Sequence, residues 1–233
     1  SSSSSSSKVP AVNDIACLDL LEAIAWEPCF DTLRTKEQLG YSVDCSSRRT
    51  CGVLGFCITV QSATHSPMHM DTRVEAFLTA LQNQVLASMS STDFEAHRSS
   101  LIARKLARDN ALREQSSLFW STITENRNCF DLQAQVAEEL RKVTLADVQA
   151  WLAKYILSST SRRKLSVWVY GRKHAVVDFD GAKEEVQKYV EEARGQGVEV
   201  TAFDCLDRVN HELTDLFDLP YKANFKRGSQ QTL

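Results

Sequence analysis

The 233-residue chain holds only eight glycines and four prolines, and no stretch approaches the roughly 20 apolar residues that a bilayer-spanning helix needs. The first shortage excludes collagen-like and low-complexity classes; the second excludes a helical span. Neither GxGxxG nor GxxxxGK[ST] occurs, so nucleotide binding by those routes has no support. There is no GxSxG elbow, no CxxC pair, and neither HExxH nor its inverse, HxxEH. Seven cysteines, at 17, 29, 45, 51, 57, 129 and 205, are odd in number and scattered. That suits a reducing, cytoplasmic setting better than a disulfide framework. Cys45 and Cys51 flank an expected turn and are read as unpaired thiols. A formal charge of −3 gives no reason to expect nucleic acid or an acidic membrane as partner. The basic pairs Arg48-Arg49 and Arg162-Arg163 are read as loop residues facing water.

What is present is ordinary for a globular protein: 43% of residues are hydrophobic and 24% charged, enough to build a sizeable core. Ser1 to Ser7 cannot join that core and has neither the charged nor the apolar region of a signal peptide. Residues 1–9 are therefore expected to be a linker or added lead. Ile15, Leu18, Leu21 and Ile24 recur about one turn apart, so Asn13 to Trp26 is expected to be a largely buried helix. Pro28 argues for a break there and a second short helix from Pro28 to Leu39, with Gly40 as its cap. Alternation then predicts a strand from Tyr41, a turn over 47–52, and a strand from Val53 to Gln61. A loop is expected over 62–70 around Pro67.

Helices are expected over 71–89, from a Thr92/Glu95 capping box onward, over 110–127, over 132–141, and after a Thr144/Asp147 cap. Leu165, Val167 and Val169 alternate with polar or aromatic neighbours as in a strand. A charged helix is expected over 180–194, with a further strand over 198–203 and a helical stretch near 212–217. A hairpin, several helices and returning strands imply an α+β fold, a mainly antiparallel sheet with helices packed on one face.

Few residues offer chemistry. His65 and His69 are four apart but separated by Pro67, and they are read as a solvent-exposed pair rather than a metal site. Glu184, Glu185, Glu191 and Glu192 are read as the wet face of a helix. Residues 28–41 differ in kind. Arg34 and Gln38 share a helical stripe, and Tyr41 follows Gly40 at a helix-to-strand corner. A guanidinium suits a carbonyl or carboxylate. On the residues alone, pairing of Arg34 with Asp31 or Glu37, and Tyr41 as an ordinary strand aromatic, is the favoured reading.

The run from Glu27 to Tyr41, with Phe30-Asp31-Thr32-Leu33-Arg34-Thr35-Lys36-Glu37-Gln38-Leu39-Gly40 at its centre, resembles the C-terminal half of the pitrilysin family of zinc metallopeptidases. That group includes insulin-degrading enzyme and nardilysin. Arg73-Val74-Glu75-Ala76-Phe77-Leu78, Phe130-Asp131 and Lys164-Leu165-Ser166-Val167 resemble family landmarks in the same order, and Asn224 to Gly228 is a weaker echo. The resemblance implies a single C-terminal domain over 10–233, with its core at 13–170 and a variable tail at 171–233. It implies a pitrilysin or mitochondrial processing peptidase-like fold.

By the same resemblance, zinc is bound by the N-terminal half of the same polypeptide and by no residue of this chain. Peptides are the implied substrates, and a homodimer is left open. Arg34 would anchor the substrate backbone, with Gln38 beside it. Tyr41 would steady the oxygen that turns negative when the peptide carbonyl is attacked. The other reading that the resemblance allows is an inactive paralogue acting as scaffold or peptide-binding subunit.

Overall fold

The computed structural model describes residues 10–50, 52–108, 111–124, 129–158, 160–170, 179–195, 200 and 202. The chain divides into two units, Ser1–Arg172 and Lys173–Leu233. At the centre of the first lies α1 (Val12–Cys29), which is apolar on nearly every side. Ile15, Leu18, Leu20, Leu21 and Ile24 are each at most 2% exposed, and burying each contributes about 1.5–3 kcal/mol. A helix so largely buried needs cover on most of its sides. That cover comes from β1 (Ser42–Thr50), α3 (Ser91–Leu106), α5 (Leu132–Leu140) and α6 (Leu145–Leu152).

β1 pairs antiparallel with β2 (Val53–Gln61), with Val43 opposite Val60, Cys45 opposite Ile58 and Thr50 opposite Val53. One hairpin face carries Val43, Cys45, Phe56, Ile58 and Val60 onto the core. The fold is α+β as expected, and the sheet among the described residues is this two-stranded hairpin. β1 is longer than the alternation suggests. It runs through residues 47–50, where a turn is expected, because Ser47 and Arg49 find partners on α1. The Ser47 amide donates to Glu22 at 3.0 Å, and Arg49 pairs with Asp19.

Asp19 is only 4% exposed and also receives Lys105 Nζ at 2.7 Å. One carboxylate thus ties α1 to β1 and to α3. The reading of Arg49 and Arg162 as water-facing is corrected in consequence. Each has an acidic partner that draws it in, and Arg162 meets both Glu75 oxygens at 2.7 and 2.8 Å.

α2 (Pro67–Ala80) begins where a loop is expected. Pro67 sits in the first turn, where its missing N–H costs nothing, and the Ser66 hydroxyl accepts from the His69 amide at 3.3 Å. A wider π-type turn, Leu81–Leu86, continues it. α3 is capped by Ser90, whose hydroxyl accepts from the Asp93 amide at 3.1 Å, rather than by Thr92 with Glu95. The Thr144/Asp147 capping box is found as read. α4 (Leu112–Thr124) buries only Thr122.

Among the described residues Lys164 to Tyr170 joins no ladder. Leu165, Val167 and Val169 are 75–79% exposed. Lys164 forms ion pairs to Asp71 and Glu75, at 2.6 and 2.8 Å. Burial alone would raise the Glu75 carboxyl, but hydrogen bonds from Arg162 and Lys164 outweigh it and hold it below the usual range.

In the second unit, α7 (Phe179–Gly195) carries a half-buried seam of Val186, Tyr189 and Val190, as expected. The strand read over 198–203 and the helical stretch near 212–217 lie outside the described residues, apart from Val200 and Ala202. Ser1 to Ser7 also lies outside them. No helix among the described residues is long and apolar enough to cross a membrane.

The Asp19 triad gives a direct test. Asp19→Ala strands two cations that are largely withdrawn from water, and is expected to cost about 3 kcal/mol. The urea unfolding midpoint reads this loss, with Asp93→Ala, an exposed cap residue, as the milder comparison.

Candidate functional site

The site begins at Pro28. Proline forfeits a helical hydrogen bond and disfavours helix at the residue before it, hence the break expected from the sequence. The helix nevertheless runs through to Cys29 and continues as a wider π-type segment, Phe30–Lys36. Ile24, Ala25, Cys29 and Leu33 are each at most 2% exposed. Their burial outweighs a proline cost of about 3 kcal/mol. Single π-type turns of this kind recur at functional sites. Here the widening shows in the Glu37 amide donating to the Thr32 carbonyl at 2.9 Å and the Leu39 amide to the Leu33 carbonyl at 3.0 Å.

The corner that follows differs from the expected glycine cap. Gln38, not Gly40, takes the left-handed backbone, with φ of 52°. Gly40 is required for another reason: a Cβ there would lie 2.1 Å from the Gln61 carbonyl oxygen at the end of β2. The corner and the hairpin therefore touch backbone to backbone. His65 adds a clamp the sequence did not suggest, its Nδ1 lying 3.2 Å from the Leu39 carbonyl, to which it can donate. A left-handed non-glycine residue costs on the order of 1–3 kcal/mol and persists only where its surroundings hold it. At this corner Leu33, Leu39 and Gln61 do so.

The charges sort themselves around Arg34. Asp31 is taken by Lys36 at 2.7 Å. Glu37 is taken by Arg73, through Nε at 2.8 Å and Nη2 at 2.5 Å. Both carboxylates that could have paired with Arg34 are thus engaged elsewhere. Its guanidinium lies instead 4.9 Å from the centre of the Phe30 ring and 5.4 Å from that of Tyr41. Cation–π contacts in such half-open places contribute about 0.5–1 kcal/mol each and leave the guanidinium edge free to donate. Tyr41 is 85% exposed, and Gln38 is exposed beside it. The three residues read from the sequence therefore do share one exposed corner.

One aromatic member of the row, Trp26, lies outside the motif, and Phe30 lies within it. Trp26 stacks on Phe30 with centroids 6.0 Å apart and planes 17° from parallel, so Trp26, Phe30, Arg34 and Tyr41 form one continuous file. The signal was present as a spacing of four residues. The break expected at Pro28 placed Trp26 and Phe30 on separate helices and hid it.

The zinc implied by the resemblance finds no fitting ligand set here. Among the described residues no group of three His, Cys, Asp or Glu side chains converges as metal ligands would. The His65 and His69 rings stack 5.1 Å apart, and His65 Nδ1 is engaged with Leu39. Cys29 and Cys45 are both buried and free. The hydrogen bond from Cys45 to Cys29, together with burial, pushes the Cys45 thiol well above the usual range. Cys45 faces the core opposite Ile58, and Cys51 lies outside the described residues.

The Glu37–Arg73 pair carries a pH dependence. The hydrogen bond from Arg73 holds the Glu37 carboxyl below its ordinary range. A depressed acid contributes stability above its unfolded value, near 4.5, and that contribution is lost as pH falls through the lower folded value. Wild type and Glu37→Gln should therefore differ in urea midpoint at pH 7 and converge as the pH drops below about 4. A difference unchanged down to pH 3 would contradict the assignment.

Residues 20–120 match the family model described as PQQ synthase PqqF-like, C-terminal lobe domain 4. The nardilysin-like protein of Arabidopsis thaliana is 41% identical over 157 residues, which cover 67% of this chain and 15% of that protein. Insulin-degrading enzyme of Drosophila melanogaster is 36% identical over 153 residues, covering 65% of this chain and 15% of that protein. The crystal structure of pitrilysin superposes with a TM-score of 0.57 at 20% identity, over 69% of this chain and 18% of that one. The chain thus spans about 15% of the length of the curated relatives it matches. From the family model, the relatives and the shared fold together, the chain belongs to the pitrilysin and insulin-degrading-enzyme family, as part of its C-terminal lobe.

Proposed function

We propose that this chain is the non-zinc-binding C-terminal domain of a zinc metalloendopeptidase like insulin-degrading enzyme, closing the substrate chamber and lending Arg34 and Tyr41 to the reaction. In this reading the domain covers residues 10–233, and zinc belongs to the N-terminal half of the same polypeptide. Peptides are the substrates and the setting is cytoplasmic. The observation that carries the reading is the release of Arg34 from both neighbouring carboxylates, with its guanidinium held between Phe30 and Tyr41 at an exposed corner. A structural arginine would have been expected to take Asp31 or Glu37.

The chemistry follows from donors and rigidity. A guanidinium whose face is occupied by rings presents its edge, which suits a peptide carbonyl. Gln38 offers an amide alongside, able to donate to or accept from an extended backbone. The Tyr41 hydroxyl can donate to an oxygen that becomes negative as the scissile carbonyl is attacked. A donor fixed in advance stabilises that charge without having to reorganise. Fixity comes from the backbone approach of Gly40 to Gln61 and from His65 on the Leu39 carbonyl. No step by the metal is assigned to residues of this chain.

In the complete polypeptide, Tyr41→Phe is expected to lower kcat by about 10²-fold with a smaller change in KM, the signature of a contact made chiefly in the transition state. Unchanged kcat would remove Tyr41 from this role. The isolated chain should hydrolyse no peptide with or without added zinc ion. Zinc-dependent cleavage by the purified chain, free of contaminating protease, would overturn the division of labour. Absence of peptidase activity from the complete polypeptide would favour a scaffold.

A further inference from the structure

The aromatic file does not stop at Arg34. From Tyr41 it passes through Arg34 and Phe30 to Trp26, whose ring is 54% exposed. Beside Trp26 opens a hollow of about 370 Å³. Ala23 and Leu101 give it apolar wall, and Glu22, His97 and Arg104 give it polar wall of both signs. Glu22, Trp26, Phe30 and Arg34 succeed one another at four-residue steps, so the hollow and the Arg34 corner lie along one face of one continuous helix.

We propose that Trp26 and the adjoining hollow form a specificity subsite for a bulky uncharged, preferentially aromatic, side chain of an extended peptide whose backbone is held at Arg34. This inference rests on the peptide-binding role proposed for Arg34 and Tyr41. Three observations select the occupant. An indole face left half open beside a concavity gains most when another large apolar surface covers it. Mixed wall charges favour neither an acidic nor a basic guest, while tolerating the polar tip of a tyrosine. Continuity with the Arg34–Tyr41 row makes one extended chain able to reach both places.

The register follows from element geometry. Eight residues of helix separate Trp26 from Arg34, about 12 Å along the axis. An extended peptide rises about 3.3 Å per residue. The favoured side chain should therefore lie roughly three or four residues from the one whose carbonyl Arg34 binds.

The test uses the complete polypeptide as wild type, Trp26→Ala, Trp26→Phe and Tyr41→Phe. Its substrates are peptides of one alanine- and serine-rich sequence along which a single phenylalanine is moved. Wild type should show a maximum in kcat/KM at one fixed position on one side of the cleaved bond, about five- to tenfold above alanine there. Trp26→Ala should bring that ratio close to one, mainly through KM, and Trp26→Phe should restore most of it. Binding of the same peptides under chelation, read by fluorescence anisotropy, should show the same order without turnover. A flat profile in wild type, or a ratio that survives in Trp26→Ala, overturns the subsite. If Tyr41→Phe still loses kcat in that case, the proposed function stands and only the subsite falls. If no peptide is bound or cleaved by wild type, both fall.

Discussion

The first unit is arranged around a helix most of whose surface is withdrawn from water. α1 presents leucine, isoleucine, alanine or cysteine in almost every direction, so it must be surrounded rather than merely seated. The hairpin takes one side, and α3, α5 and α6 take the others. Within that apolar surround a single carboxylate, Asp19, is admitted, and only with Arg49 and Lys105 against it. Such a group adds little net stability compared with a well-packed apolar replacement, but it penalises any arrangement that fails to bring both cations to it. The packing is set by burial, and Asp19 discriminates between ways of achieving it.

The Arg34 corner depends on the same helix. Because α1 is buried on most sides from Ile15 to Ala25, its far end emerges in a fixed direction, and the wide turn after Pro28 brings Phe30 and Arg34 into line with Trp26. Two further constraints then hold the exit: a backbone contact that only glycine permits, at Gly40, and a histidine on the Leu39 carbonyl. Arg34 is left with aromatic faces because Lys36 and Arg73 hold the acids. Selectivity of pairing among neighbouring charges, rather than any single strong bond, leaves the guanidinium without a carboxylate.

How much of this could be read beforehand varied with the physics involved. Helices with a strong period were legible, and so was the Thr144/Asp147 cap, since both signals are local. The β1 and β2 strands were legible through alternation, but their length was not. β1 persists past Ser46 only because Glu22 and Asp19, more than twenty residues earlier in the chain, receive Ser47 and Arg49. Pro28 and Pro67 were each misjudged in the same way: a local rule about proline was applied where burial, in one case, and a first-turn position, in the other, reversed its meaning. Of the residues that meet at the corner, Arg34, Gln38 and Tyr41 come from the motif, whereas Trp26 lies just outside it and His65 belongs to a different segment altogether.

The contact of Gly40 with the Gln61 carbonyl also makes the hairpin unequal along its length. At the far end, where Thr50 meets Val53, residues can be added or lost in matched pairs with only a local change of turn. Near Gly40 a single added or deleted residue would reverse which face each later side chain of β1 occupies, sending Val43 and Cys45 outward and drawing polar neighbours into the core. It would also separate Tyr41 from Arg34. Variation in length among related chains should accordingly gather at the tip of this hairpin and be nearly absent at its root, so the spacing between Arg34 and Val43 acts as a ruler for the corner as a whole.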